Sequence, residues 1–133
     1  MHSESIVGIG VDLVHVPRLA RKIERRGDKL LHHVFTPAEI AAATRSGEFE
    51  MQRLAVWFAA KEATVKALGT GLIGEMSFAD VEVQHELSGA PKILLTGETA
   101  EVARGRGVRS WHVSLSHEGD TAIAFIIATA GGT

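Results

Sequence analysis

The chain has 133 residues, 45% hydrophobic and 23% charged, which suits one globular domain with a single modest core. Its formal charge of −2 argues against a general nucleic-acid binder, and the absence of cysteine excludes disulfides, thiolate metal sites and cysteine nucleophiles. There is no signal-peptide pattern and no membrane-length apolar run, so no membrane association and a cytoplasmic address are the expectations.

In chain order, Ile6 to Val14 is rich in Ile, Val and Leu and reads as a buried strand. Pro17 fits the first turn of a helix running to Arg26 and ended by Gly27. Thr36-Pro37-Ala38-Glu39 is a capping-box pattern that opens a second short helix. Glu48 to Leu68 is the longest helical segment, with Gly69 as its C-cap. His32 and His33 fall on a polar helix end. Ala79 to Glu86 alternates as a half-buried strand, Ser88 to Pro91 turns, and Ile93 to Thr96 returns. Glu98 to Arg104 is a short helix. Ser110 to Ser116 and Ala122 to Thr129 are strands joined by a loop, His117 to Asp120. The order predicts one α+β domain over residues 1–133 with an antiparallel sheet, one long helix and several short ones.

On the long helix, Leu54, Phe58, Val65 and Leu68 form an apolar stripe at 100° per residue, the core-facing side. Glu62 and Lys66 share its flank, and their spacing alone fits a surface ion pair. Lys61 falls inside the stripe, from which its long stem can carry the ammonium to water. Asp12 is the only charge in the apolar run from Val7 to Val16. Buried without a partner it would be costly, so it either caps the next segment or faces a cation. With Glu62 it would make a two-carboxylate site suited to Mg²⁺, which takes few protein ligands and completes its shell with phosphate oxygens and water.

Other chemistries fit less well. Gly69-Thr70-Gly71 follows a helix, whereas a phosphate-cradling loop precedes one. His112, His117, Ser114 and Ser116 invite a hydrolase triad with Asp12, but there is no G-x-S-x-G elbow. Residues 17 to 29 carry a net charge of +4, leaving about −6 on the rest. Such a basic segment is either a solvated face, as most charge clusters are, or a surface that steers an acidic protein partner.

Read together, these segments resemble holo-acyl-carrier-protein synthase, the small type of 4′-phosphopantetheinyl transferase. The resemblance rests on Gly8-Ile9-Gly10-Val11-Asp12 with Arg18, Phe35-Thr36-Pro37-Ala38-Glu39, Phe58-Ala59-Ala60-Lys61-Glu62-Ala63 running on to Lys66-Ala67-Leu68-Gly69-Thr70-Gly71, and His112-Val113-Ser114-Leu115-Ser116-His117. It implies the family's α+β fold, a homotrimer with clefts between subunits, coenzyme A as donor, and an acyl carrier protein or the carrier domain of a fatty acid synthase as acceptor. By position it implies Asp12 and Glu62 as Mg²⁺ ligands, and Asp12, Glu62, Lys66 and His117 as the catalytic set. Lys61, Lys66, Gly69, Thr70, Gly71, Ser116 and His117 are implied contacts of coenzyme A. Arg18, with Arg21 and Arg25, is implied in carrier docking. One position departs: Trp57 stands where family members usually have arginine. Arg53, one helical turn earlier, shares its face.

Overall fold

The computed structural model describes residues 5–47 and 50–131. Strand β1 (Ile6–His15) runs directly into helix α1 (Val16–Arg26), where Pro17 occupies the first turn and needs no hydrogen-bond acceptor. No side chain caps α1, but the Val16 N–H donates to the carbonyl of Asp120 at 2.8 Å. Gly27, at φ +66°, ends α1 and lets the chain reverse at once into α2 (Asp28–Val34). That helix has only seven residues, too few for a periodic signature, and it exposes His32 and His33 while burying Leu31 and Val34.

The capping box forms as read. The Glu39 N–H donates to Thr36 Oγ1 at 3.2 Å and the Thr36 N–H to Glu39 Oε1 at 2.9 Å, opening α3 (Pro37–Ala43). Helix α4 (Met51–Leu68) starts later than the sequence reading; Glu48 and Phe49 lie outside the described residues. Gly69 closes it in the left-handed conformation at φ +78°. A single 3-10 turn (Phe78–Asp80), β2 (Val81–His85), β3 (Pro91–Leu95), α5 (Gly97–Gly105), β4 (Ser110–Glu118) and β5 (Thr121–Thr129) follow.

Two antiparallel sheets replace the single one expected: a three-stranded sheet in the order β1-β5-β4 and a separate β2-β3 hairpin. The last hairpin is tighter than the sequence suggested. Its turn is Gly119-Asp120 alone, so His117 and Glu118 belong to β4. Gly119 takes φ +55° while Asp120 keeps a negative φ, the pattern of a type II′ turn.

Helix α4 lies across the three-stranded sheet, and small residues let it come close. Ala122, Ala124, Ile126 and Ala128 of β5 are fully buried on the helix side. From β1, Gly8 and Gly10 meet the backbone of α4, where an added Cβ would stand 1.8 Å from the carbonyl oxygens of Ala67 and Ala63. The apolar stripe expected on α4 proves too narrow. Phe58 is only half-buried, whereas alanines, Trp57, Lys61 and Thr64 are buried around nearly the whole circumference.

β1 also differs from the buried strand expected. It is an edge strand with period-two alternation. Gly8, Gly10, Asp12 and Val14 turn toward α4, and Ile9, Val11 and Leu13 point away with Phe125 of β5, all between 43% and 65% exposed. An apolar outer face reads in sequence like a buried strand. No helix among the described residues is long and apolar enough to cross a membrane.

Candidate functional site

Gly10 and Asp12 are two residues apart on β1 and so face the same way; where Gly10 touches Ala63, Asp12 meets the neighbouring Glu62 and Lys66 flank of α4. Lys66 Nζ donates to Asp12 Oδ1 at 2.7 Å and to the Val11 carbonyl at 3.2 Å. The i,i+4 partners are thus not merely paired with each other on the surface; both face a carboxylate from a distant strand.

Burial raises the Glu62 carboxyl above its ordinary pKa, and the nearby Asp12 carboxylate raises it further, against the opposing pull of Lys66 and Lys22. The hydrogen bond to Asp12 is the main reason that Lys66 holds its proton more tightly than an ordinary lysine. Two like charges in a partly desolvated place gain from a divalent cation. Asp12 and Glu62 are a pair of carboxylates, and among the described residues no cluster of three or more His, Asp or Glu ligands forms. Such a donor set fits Mg²⁺, which keeps water and substrate oxygens in most positions.

Helix α1 borders this flank. Leu19 and Ile23 are buried, and Arg18, Arg21 and Arg25 are exposed on the opposite side. Lys22, not singled out from the sequence, reaches the electrostatic neighbourhood of Glu62. Its i,i+4 relation to Arg18 is the signal that places it on the same face.

Lys61 requires a correction. It is fully buried and does not reach water. Its Nζ meets Glu39 Oε1 at 2.8 Å and donates to the carbonyls of Phe78 and Val81. Burial pushes this ammonium below the usual lysine range while the Glu39 carboxylate works the other way. With all three protons satisfied inside the protein, Lys61 has none to offer coenzyme A.

Gly69, Thr70 and Gly71 follow one turn after Lys66. Gly69 and Gly71 both take positive φ, and Thr70 Oγ1 donates to the Gly71 carbonyl at 2.8 Å. A Cβ on Gly69 would stand 3.3 Å from the Arg106 guanidinium, so this arginine from beyond α5 lies over the loop.

Ser116 and His117 sit elsewhere. They line a cavity of about 740 Å³ between the start of α4, the β2-β3 hairpin and β4. Arg53, Trp57, His85 and Pro91 contribute to the same walls. At 100° per residue, Arg53 and Trp57 lie roughly 140–180° around α4 from Glu62 and Lys66. β1 and β4 are likewise opposite edges of the sheet. One chain therefore brings Asp12, Glu62 and Lys66 together but leaves Ser116 and His117 on the far flank. The imagined triad of Asp12 with the late serines and histidines does not assemble.

A protein-family model described as the 4′-phosphopantetheinyl transferase superfamily matches residues 8–126. The chain belongs to that superfamily. Holo-[acyl-carrier-protein] synthase from Koribacter versatilis is 44% identical over 122 residues, covering 92% of this chain and 97% of the relative. The protein of the same name from Desulforudis audaxviator is 49% identical over 123 residues, 92% of either chain. The phosphopantetheinyl transferase fold is shown by the crystal structure of holo-[acyl-carrier-protein] synthase from Neisseria meningitidis, with a TM-score of 0.85 at 33% identity over 93% of this chain and 98% of that one. The Helicobacter pylori enzyme, solved in complex with coenzyme A, matches with a TM-score of 0.78 at 31% identity over 90% of this chain and 98% of that one.

Proposed function

We infer that this transferase moves 4′-phosphopantetheine from coenzyme A to a serine of an apo acyl carrier protein, in the cytoplasm and in the service of fatty acid synthesis. The observation that carries the reading is the convergence of Asp12 from β1 with Glu62 and Lys66 from α4 beside a basic helix. The names of the relatives and the coenzyme A complex of the Helicobacter pylori enzyme support it.

In the reaction the serine oxygen attacks the β-phosphorus of coenzyme A. The phosphoanhydride bond breaks, adenosine 3′,5′-bisphosphate leaves, and the serine proton passes to the carboxylate pair or to water. Phosphoryl transfer of this kind depends mainly on positioning and on control of charge at phosphorus. Asp12 and Glu62 would hold Mg²⁺, which supplies neutralisation of phosphate charge. Lys66 sets a further positive charge beside them, and α1 offers Arg18, Arg21 and Arg25 to the acidic carrier.

The working assembly is a homotrimer with sites shared between neighbours. Two features support this: the apolar outer face formed by Ile9, Val11, Leu13 and Phe125, and the separation of the carboxylate flank from the His117 flank in one chain. His117 and Ser116 of one subunit would then complete the cleft opened by the carboxylates of another.

The test is incubation with coenzyme A, Mg²⁺ and an apo carrier protein, read by mass spectrometry. A gain of one phosphopantetheine per carrier, abolished by EDTA, is expected, together with a trimer in native mass measurement. Full turnover by Asp12→Ala or Glu62→Ala would refute the metal-ligand assignment.

A further inference from the structure

Arginines gather where α5 ends: Arg104, Arg106 and Arg109 are all exposed. Arg104 is paired with Glu101, and Arg109 lines a separate hollow with Ala103 and Trp111. Arg106 turns back onto the end of α4. Its Nη2 stands 3.3 Å, and its Cζ 3.9 Å, from the place a Cβ on Gly69 would take. Among the described residues no carboxylate pairs with this guanidinium. Its mount is firm, because the Arg106 N–H donates to the Val102 carbonyl at 3.0 Å and to that of Ala103 at 3.2 Å.

Gly69 prolongs the row that carries the carboxylate site. At 100° per residue it lies about 20° around α4 from Glu62 and about 60° from Lys66, and about 4.5 Å further along the axis than Lys66. This flank is short of positive charge. Asp12 and Glu62 set two carboxylates against one ammonium, and Lys66 is already engaged by Asp12 at 2.7 Å and by the Val11 carbonyl at 3.2 Å. The last carbonyls of α4 add partial negative charge at the same end. An anion brought to this row is repelled there unless a further cation meets it. Arg106 is a cation so placed, and its planar fork of donors matches phosphate oxygens.

The glycine serves the same arrangement. At φ +78°, asparagine as well as glycine can close a helix, but any side chain at position 69 would press on the guanidinium.

We propose that Arg106, seated over Gly69, is a second phosphate-binding cation that holds the pyrophosphate of coenzyme A from the loop end of α4. The proposal rests on the transferase reading above and adds to Lys66 a residue from the far end of α5.

The test measures steady-state transfer and calorimetric binding of the donor to the carrier-free enzyme in Mg²⁺. Arg106→Gln is expected to raise both KM and Kd for coenzyme A about tenfold, the loss of one charge-assisted contact. The pyrophosphate is common to coenzyme A and 3′-dephospho-coenzyme A, so both donors should lose by the same factor while KM for the carrier stays within about twofold. Arg106→Lys keeps the charge without the fork and should recover part of the loss. Gly69→Asn retains the helix cap but displaces the guanidinium, and should weaken both donors as Arg106→Gln does. Arg104→Gln is the charge control and should bind both as the wild type does. A lowered melting temperature in Arg106→Gln with donor KM and Kd unchanged would reduce Arg106 to a helix-end charge and overturn the proposal. So would a loss confined to coenzyme A, which places the contact at the 3′-phosphate, or a loss confined to the carrier. If the wild type binds coenzyme A through Arg106 yet modifies no carrier, the transferase reading fails while the phosphate contact stands.

Discussion

Lys61 and Glu39 form an ion pair at 2.8 Å with neither side chain more than 1% exposed. Glu39 accepts the Thr36 N–H on one oxygen and the Val83 N–H, at 2.8 Å, on the other. Lys61 adds the carbonyls of Phe78 and Val81. One pair therefore ties α3, α4 and β2 together immediately beside Glu62. Removing the carboxylate with Glu39→Ala would strand a buried ammonium and cost about 3–5 kcal/mol. Urea unfolding measures this, and the double variant Glu39→Leu/Lys61→Met should lose less than the sum of the two single changes. A Glu39→Ala protein within about 1 kcal/mol of wild type would remove the pair from its structural role.

Gly10 fixes how near α4 comes to β1. A Cβ there would meet the Ala63 carbonyl at 1.8 Å, and backbone cannot swing aside as a flexible side chain can. Gly10→Ala should lift the helix, part Glu62 from Asp12, and destabilise at or beyond the upper end of the usual 1–3 kcal/mol for overpacking, about 3 kcal/mol. Thermal unfolding and the transfer assay should fall together. Gly105→Ala in α5, where nothing lies within 4 Å of the added Cβ, is the neutral control.

What could be read from sequence follows the range of each interaction. The capping box of Thr36 and Glu39, the Gly69 cap and the β4-β5 hairpin are local, and their residues announce them. Asp12 was legible as an anomaly because a charge in an apolar run needs a partner, although the run could not show that the partners were Lys66 and Glu62. Lys61 misled for the opposite reason. Periodicity within one helix detects a charge on a buried face but not the Glu39 carboxylate that another helix brings to it. Lys22 acquires its place near Glu62 only through the packing of α1 beside α4. The outer apolar face of β1 looks like a core strand until the sheet order makes it an edge.

Glu62 makes stability depend on pH in a direction that can be worked out. Its pKa in the folded protein lies above the ordinary 4.5, chiefly through burial. In the window between these values the folded state holds the proton more than the unfolded one, so stability falls as pH rises through it. Glu62→Gln should abolish that fall, and the comparison is made by thermal unfolding in EDTA. Mg²⁺ favours the ionised carboxylate and should move the acid limb of the activity profile to lower pH. A steeper loss of stability with rising pH in Glu62→Gln than in wild type would contradict the assignment.

Arg18, Arg21 and Arg25 provide a separate test of how the acceptor arrives. They are exposed on the side of α1 away from buried Leu19 and Ile23, so replacing them leaves the core intact. Lys22 lies on the same helix next to the electrostatic reach of Glu62, which puts the basic face within a short step of the carboxylates. An acidic carrier drawn to this face would have its serine delivered to Asp12 and Glu62. Arg18→Ala/Arg21→Ala should therefore raise KM for the carrier about tenfold at low salt while KM for coenzyme A stays within about twofold. The difference should shrink as ionic strength rises past 0.1 M, where charges separated by more than about 10 Å are screened. Because solvent-exposed charges act mainly on encounter, the loss should appear in the association rate of the carrier rather than in its dissociation. Equal losses for carrier and coenzyme A at every salt concentration would detach α1 from docking and leave its charge without a ligand.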